Sequence, residues 1–259
     1  MKKRIIASVL AALMILALAA CGGSSSGGGG ATQPPVEETP KLIMGTNAFF
    51  PPYEFYEAEN VIAGIDPEIA AAIAKKIGME LVIEDMEFGA VLTSIETGMI
   101  DIAMAAITVT EDRLLTLNFS DSYATGIQVI IVREDSDIAS LDDIAGKKIG
   151  VQLSTTGDIY ATDDYGEENI ERYDKGAQAV LALSQGLIDC VIIDNEPAKS
   201  FVDANEGLVI LDTEYVVEEY AIALNKEDTE LLDQINTALA ELIADGTVQA
   251  IIDKYITAD

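Results

Sequence analysis

Arg113 closes the run Thr108-Val109-Thr110-Glu111-Asp112-Arg113. Thr110 suits an N-cap, which puts the guanidinium in a first helical turn, where the helix dipole disfavours a cation. The planar fork of arginine matches a carboxylate with two parallel hydrogen bonds. A second run, Ser154-Thr155-Thr156-Gly157-Asp158, joins a strand pattern to a helix pattern. Hydroxyls and free backbone N–H groups at such a helix start hold anions. Opposite in charge is Asp194, ending the apolar run Cys190-Val191-Ile192-Ile193 and ready for an ammonium group. Phe50 and Phe88 could bracket a side chain. Together these residue types suit a zwitterion. Each also has a plainer reading: a surface arginine paired with one of 45 acids, capping threonines, an aspartate capping a helix from Pro197, and aromatics in a core.

Composition narrows the chemistry further. The 259 residues carry a formal net charge of −30, two cysteines and no histidine. Lacking histidine, the chain has no Ser-His-Asp or Cys-His nucleophile and no His-ligated metal site. Two cysteines build neither a zinc ribbon nor a disulfide framework. Such an acidic chain repels phosphate, so no nucleic-acid partner is expected. Cys190, in an apolar strand, reads as an inert, buried thiol. No catalytic residue, metal ligand or cofactor is assigned.

These groups need a scaffold, and the spacing of apolar residues describes one. Strands are expected at 41–47, 80–84, 100–107, 148–151, 189–193 and 220–224. Residues 100–107 are nearly all apolar, as in a parallel strand buried on both faces. Asp66-Pro67-Glu68 reads as a helix start with Asp66 as N-cap; Ile69, Ile73 and Ile77 follow, and Gly78 closes the helix. Further helices are expected around Val91–Ile95, from Thr156, over 177–184, and in two pieces within 231–255. Pro51 and Pro52 mark 49–53 as a loop. Thr97-Gly98-Met99-Ile100-Asp101 and Gln185-Gly186-Leu187-Ile188-Asp189 each read as a helix end, a glycine stop and a central strand. This rhythm predicts two similar α/β lobes. Two terminal helices return to cover the first, with crossings near 130–132 and 221–223. In open parallel sheets ligands lie beyond the carboxyl ends of the strands, here 47–50, 105–113, 152–158 and 194–197.

The first 40 residues have another character. Met1-Lys2-Lys3-Arg4 is basic, and residues 5–20 are an apolar run shorter than the roughly 20 residues needed to span a bilayer. Leu18-Ala19-Ala20-Cys21 resembles the lipobox of bacterial lipoproteins, which implies lipidation of Cys21. Removal of 1–20 leaves 12 basic against 45 acidic residues, a net charge of −33. Residues 21–40 read as a flexible Gly/Ser/Pro tether.

From residue 41 onward the motifs resemble a known family. Phe49-Phe50-Pro51-Pro52-Tyr53-Glu54-Phe55, Gly64-Ile65-Asp66, Glu87-Phe88, the run from Ala106 to Arg113, Phe119-Ser120-Asp121-Ser122-Tyr123, Gly150 to Asp158 and Asp194-Asn195-Glu196-Pro197-Ala198 carry the resemblance, in order. It is to the polar amino-acid class of bacterial extracellular solute-binding proteins, the capture subunits of ABC importers. The resemblance implies an α/β, periplasmic-binding-protein-like (type II) fold of two lobes joined by two hinge strands. The lobes are expected at 41–130 plus 222–259 and at 131–221. It also implies that Arg113, with Thr108 and Thr156, binds a ligand α-carboxylate, that Asp194 takes the α-amino group, and that Asn47, Phe50, Phe88 and Gln152 shape the side-chain pocket. Ala105, Ala106 and Thr155 complete the expected ligand-binding set. Many relatives have aspartate at Asn47 and glycine at Ala106 and Ser154.

The expected partners are a free polar amino acid, with lysine or arginine favoured and glutamine next, the membrane permease of an ABC importer, and a lipid anchor holding a monomer outside the cytoplasm. A rival on the same fold is a cyclohexadienyl-type dehydratase, for which Glu54 or Glu87 would serve as acid. A ligand-sensing module is a third reading.

Overall fold

The computed structural model describes residues 39–256. The expected export segment, Cys21 and residues 22–38 of the expected tether lie outside the described residues. In chain order the strands and helices are β1 (Lys41–Thr46), β2 (Phe49–Phe50), β3 (Glu54–Ala58), β4 (Val61–Ala63), α1 (Ile65–Ile77), β5 (Glu80–Asp85), α2 (Phe88–Glu96), β6 (Ile102–Ala103), α3 (Glu111–Thr116) and β7 (Leu117–Arg133). They continue with β8 (Ile149–Gln152), α4 (Thr156–Tyr165), β9 (Ile170–Tyr173), α5 (Gly176–Ser184), β10 (Cys190–Asp194), α6 (Asn195–Asp203), β11 (Leu208–Ile210), β12 (Val216–Asn225), α7 (Thr229–Ala244) and α8 (Thr247–Tyr255).

Two parallel cores result. In the first lobe β1 lies between β5 and β6; in the second β8 lies between β9 and β10. The long strands β7 and β12 pair antiparallel and join them. At one end of that pair Ala223 meets Ala103 of β6. At the other, residues 128–132 of β7 meet β10, and residues 131–133 meet β11. Between these ends the register shifts at Tyr220/Ala221 and again at Ala221/Ala223. The two lobes and their two hinge strands form the type II solute-binding fold.

The five-residue repeat is structural. Gly98 and Gly186 both take left-handed backbone, with φ of 68° and 69°. Ile100 and Ile188 are buried, while Met99 and Leu187 are exposed. Asp101 Oδ2 accepts from Ile43 N at 2.7 Å, and Asp189 Oδ2 accepts from Lys148 N at 2.8 Å. In each lobe one carboxylate therefore ties the start of a central strand to the chain beside it.

The first helix shows how sequence and packing cooperate. Ile69 and Ile73 are fully buried, Lys75 and Lys76 occupy the last turn, and Gly78 closes the helix with left-handed backbone. Its outer face is covered by α7 and α8, as the apolar stripe of the C-terminal segment predicts. Lys76 Nζ meets Glu241 at 2.9 Å, Lys254 pairs with Glu68, and the Tyr255 ring meets Phe55 edge-on.

Three expectations change. The first helix starts at Ile65 after Gly64, because the Asp66 carboxylate is not free to cap; its Oδ2 accepts from Ala106 N at 2.9 Å. Residues 49–53 hold half of a small hairpin, in which Phe49 and Phe50 pair with Phe55 and Glu54. Pro51 and Pro52 occupy the turn, so no ladder hydrogen bond is lost. The strand expected at 100–107 shortens to Ile102–Ala103. Apart from half-buried Asp101 the segment is buried, but Ala106 takes left-handed backbone (φ 47°) and turns the chain off the sheet.

Asp101→Ala should cost about 1–2 kcal/mol, the penalty for orphaning a part-buried backbone donor of a strand, and Asp189→Ala less, because its donor Lys148 N is exposed to water. Met99→Ala and Leu187→Ala should stay within about 0.5 kcal/mol. Urea titrations of the four variants check both statements.

Candidate functional site

The ends of β1, β6, β8 and β10 converge between the lobes, with the β2–β3 hairpin and the first turns of α2 and α3 beside them. They surround a small cavity with room for about 20 Å³. Asn47, Phe50, Phe88, Ala105, Ala106, Thr108 and Arg113 line it from the first lobe, and Gln152, Thr155, Thr156 and Asp194 from the second. All eleven residues singled out in the sequence are thus brought together. Glu54 is the twelfth.

Arg113 reaches the cavity by local design. Thr110 caps α3, its side chain accepting from Arg113 N at 3.2 Å. The guanidinium donates through Nη1 to Thr108 O at 2.8 Å and through Nη2 to Ser154 O at 3.3 Å, and lies 5.6 Å from the centre of the Phe88 ring. Burial pulls its pKa down, against the pull of Glu218. Among the described residues it forms no ion pair. The other two arginines among the described residues are engaged in structure: Arg133 donates to Leu183 O and Ile188 O, and Arg172 pairs with Asp158 and Glu167. A buried guanidinium that meets neutral carbonyls and an aromatic face keeps donor capacity suited to an anion.

The anion site has a second wall. Thr155 caps α4, its Oγ1 accepting from Asp158 N at 3.3 Å. Asp158 Oδ2 accepts from Ser154 N at 3.0 Å, which pins the loop. Thr156 Oγ1 lies 3.4 Å from Thr108 Oγ1 of the other lobe. The N-terminus of α4 and two hydroxyls therefore face Arg113.

Asp194 precedes α6 at the N-cap position, yet its side chain makes no capping bond. It accepts instead from the Tyr220 hydroxyl on the hinge strand β12. Burial raises its pKa well above the carboxylate range, and neighbouring Glu218 adds to the rise. Tyr220 reaches it because Gly126, on the partner hinge strand, has no side chain: a Cβ there would fall 1.9 Å from the phenol oxygen. Beside this pair Gln128 Nε2 donates to Glu218 Oε2 at 2.9 Å.

The lobes touch through the site. Asn47 Oδ1 accepts from Gln152 Nε2 at 3.0 Å, and Asn47 Nδ2 donates to Met86 O at 2.8 Å. An aspartate at 47 would lose the second bond. The Lys175 ammonium sits 3.2 Å from the centre of the Phe49 ring across the cleft. Ala106 and Ser154, both without glycine's freedom, take positive φ of 47° and 68°. Cys190 is buried with its thiol pushed up to about 12, which keeps it unreactive.

Sequence reasoning passed over Tyr220, Gln128 and Glu218, and weighed Glu54 as an acid catalyst and, with Glu57 and Glu87, as one of the local acids that favour a basic side chain. A period-two reading of β12 would have found the first signal. Glu218 and Tyr220 are buried while Glu219 between them is exposed, so an acid and a phenol share the inward face.

Comparison with known proteins follows this geometry. Residues 42–258 match the bacterial extracellular solute-binding proteins, family 3. The arginine-binding extracellular protein ArtP of Bacillus subtilis is 34% identical over 225 residues, 85% of this chain and 87% of ArtP. The crystal structure of the P235GK mutant of ArgBP from T. maritima superposes with a TM-score of 0.80 at 40% identity, covering 84% of this chain and 96% of that one. An ancestral arginine-binding protein bound to glutamine superposes with a TM-score of 0.80 at 35% identity, covering 85% and 100%.

Two outcomes are expected. Burial raises Asp66 from 3.8 to about 6 and also raises Asp194 and Glu54. Between pH 4 and 6 the folded chain therefore holds more protons than the unfolded chain, so stability falls as pH rises through that window. Melting of the ligand-free protein should occur at higher temperature at pH 5 than at pH 7. Ser154→Gly should stabilise by about 0.5–1 kcal/mol, since the left-handed strain of a Cβ, about 1–2 kcal/mol, exceeds glycine's extra unfolded-state entropy. Urea titration reads that difference.

Proposed function

As the chain belongs to family 3 of the bacterial extracellular solute-binding proteins, we propose that it is the amino-acid capture component of an ABC importer. The observation that carries this reading is a cavity that presents two opposite buried charges, neither of which has an ion-pair partner among the described residues. Arg113 waits for a carboxylate, and Asp194, 6% exposed, for an ammonium, on facing walls of one cavity. An α-amino acid supplies both.

The ligand docks with its carboxylate on Arg113, Thr108 and the α4 N-terminus around Thr156. Its ammonium lies against Asp194, and its side chain extends towards Asn47, Phe50, Phe88 and Gln152. Each charge-assisted hydrogen bond contributes about 1.5–3 kcal/mol net. Three or four of them, less the cost of closing the cleft, reach the roughly −8 kcal/mol of micromolar binding. A basic amino acid is favoured, in keeping with what ArtP and ArgBP are described as binding. The ancestral relative bound to glutamine makes a neutral side chain the second choice.

The proposed lobes are 41–130 with 222–259, and 131–221. The register shifts at 220–223 of β12, before the stretch of β7 from Gln128 that also pairs with β10, supply the bend. Closure brings Gln152 to Asn47 and Thr156 to Thr108, and forms the paired surface that a membrane permease reads. The protein performs no chemistry on its ligand. Leu18-Ala19-Ala20-Cys21 supports export with lipidation at Cys21, and the Gly/Ser/Pro stretch after it supports a tether to the membrane for a monomeric capture body outside the cytoplasm.

Titration calorimetry against the twenty amino acids should find at least one ligand at micromolar affinity; heat from none of them sinks the amino-acid assignment. Arg113→Ala should weaken that ligand at least about 100-fold. Retained affinity would move the carboxylate site elsewhere.

A further inference from the structure

One contact between the lobes stands apart from the ligand cavity. The Lys175 ammonium lies over the Phe49 ring, 3.2 Å from its centre. Phe49 belongs to β2 of the first lobe, and Lys175 immediately precedes α5 of the second. Neither residue lines the cavity. Phe49 is 36% exposed, and Lys175 is half-buried. In a chain with 45 acids, Lys175 meets this ring and forms no ion pair among the described residues.

Both partners stand on braced backbone. Successive residues of a strand point to opposite sides, so Phe50, which lines the cavity, sends Phe49 the other way. The Phe49 ring packs on Tyr56, with centroids 5.7 Å apart. Tyr56 Oη donates to Asp85 Oδ2 at 2.9 Å, and Asp85 Oδ1 accepts from Ala48 N at 2.8 Å. One carboxylate thus fixes both the neighbour of the ring and the chain before it. On the other side Lys175 N donates to Gln178 Oε1 at 3.3 Å, and Gln178 N donates to Lys175 O at 3.0 Å. Gly176 lets this helix start approach the core of the second lobe: a Cβ there would fall 2.6 Å from Ile193 Cδ1.

Resting on the amino-acid capture reading above, we propose that Phe49 and Lys175 form a latch that holds the cleft closed and sets how long a ligand stays. The two groups ride on different lobes, so parting the lobes breaks their contact. An interaction made in the closed state alone adds to the apparent affinity without touching the ligand. It acts on dissociation, because the cleft reopens before the ligand leaves. It acts alike on every amino acid, since selectivity is set inside the cavity. The cross-lobe contacts of Asn47 with Gln152 and of Thr108 with Thr156 are made by cavity residues and lack this independence.

Stopped-flow dissociation and titration calorimetry on the full chain compare the wild type with Lys175→Met, Phe49→Leu, the double variant and Lys175→Arg. The ligands are arginine, glutamine and any other of the twenty amino acids that the wild type binds. Lys175→Met and Phe49→Leu should each speed dissociation and weaken affinity about 3–10-fold, the span of a half-exposed cation–π contact. The double variant should lose no more than either single one, because both remove the same contact. Lys175→Arg, which keeps a cation over the ring, should stay within about twofold of the wild type. The ratios of affinity among ligands should not move. On charge alone, removing a lysine near the cleft would tighten a cationic ligand, so weaker arginine binding in Lys175→Met is the signature of the latch. Lys175→Met leaves every cavity residue in place and carries the test if Phe49→Leu folds poorly. Unchanged dissociation in Lys175→Met, losses that multiply in the double variant, or a loss confined to one of several ligands overturns the latch while amino-acid binding stands. A wild-type protein that binds no amino acid overturns the capture reading and the latch with it.

Discussion

The antiparallel pairing of β7 with β12 is the constraint on which the rest of the structure depends. Among the described residues these two strands link the parallel cores of the sheet, β12 lying beside β6 of the first and β7 beside β10 of the second. A ladder continuous at its ends but bulged in its middle gives each core a rigid edge and leaves a bend between. It also supplies chemistry. Gly126 makes room for Tyr220, Tyr220 orients Asp194, and Gln128 holds Glu218 beneath the site. The element that permits motion is therefore the one that orients the second lobe's acid.

Electrostatics sets the character of the cavity. Arg113 is buried at a helix start without an acidic partner, and Glu54, Asp66 and Asp194 are buried acids held above their usual pKa values by desolvation. Among the described residues none of the four forms an ion pair, and burying such groups without one is expensive.

The two lobes are built by one local recipe used twice. A helix ends at a left-handed glycine, an exposed apolar residue follows, then a buried isoleucine, then an aspartate that accepts from the neighbouring chain. Where the lobes differ is where they bind. The first contributes the guanidinium and the aromatic walls, and the second the helix N-terminus and Asp194. Ala106 and Ser154 stand in left-handed conformations beside the ligand cavity, so the two turns that face each other across the cleft are also the strained ones.

Much of this was legible in the sequence because it is set by near neighbours. Helix ends at Gly78 and Gly98, the Thr110 and Thr155 caps, the buried strand ending at Asp194 and the alternation of strands and helices all follow from local spacing. The motif resemblance added the roles expected of Arg113, Thr108, Thr156 and Asp194. Elsewhere long-range partners overrode local preference. Asp66 looked like an N-cap, but Ala106, 40 residues away, takes its carboxylate. Asp194 occupies a cap position and serves a hinge tyrosine instead. Pro51 and Pro52 suggested a loop, yet the hairpin around them sets Glu54 beside Phe50 at the cavity. The sequence by itself determined which elements form and which charges exist; only the tertiary structure decided which of 45 acids lose their water, because burial is a property of the packed whole.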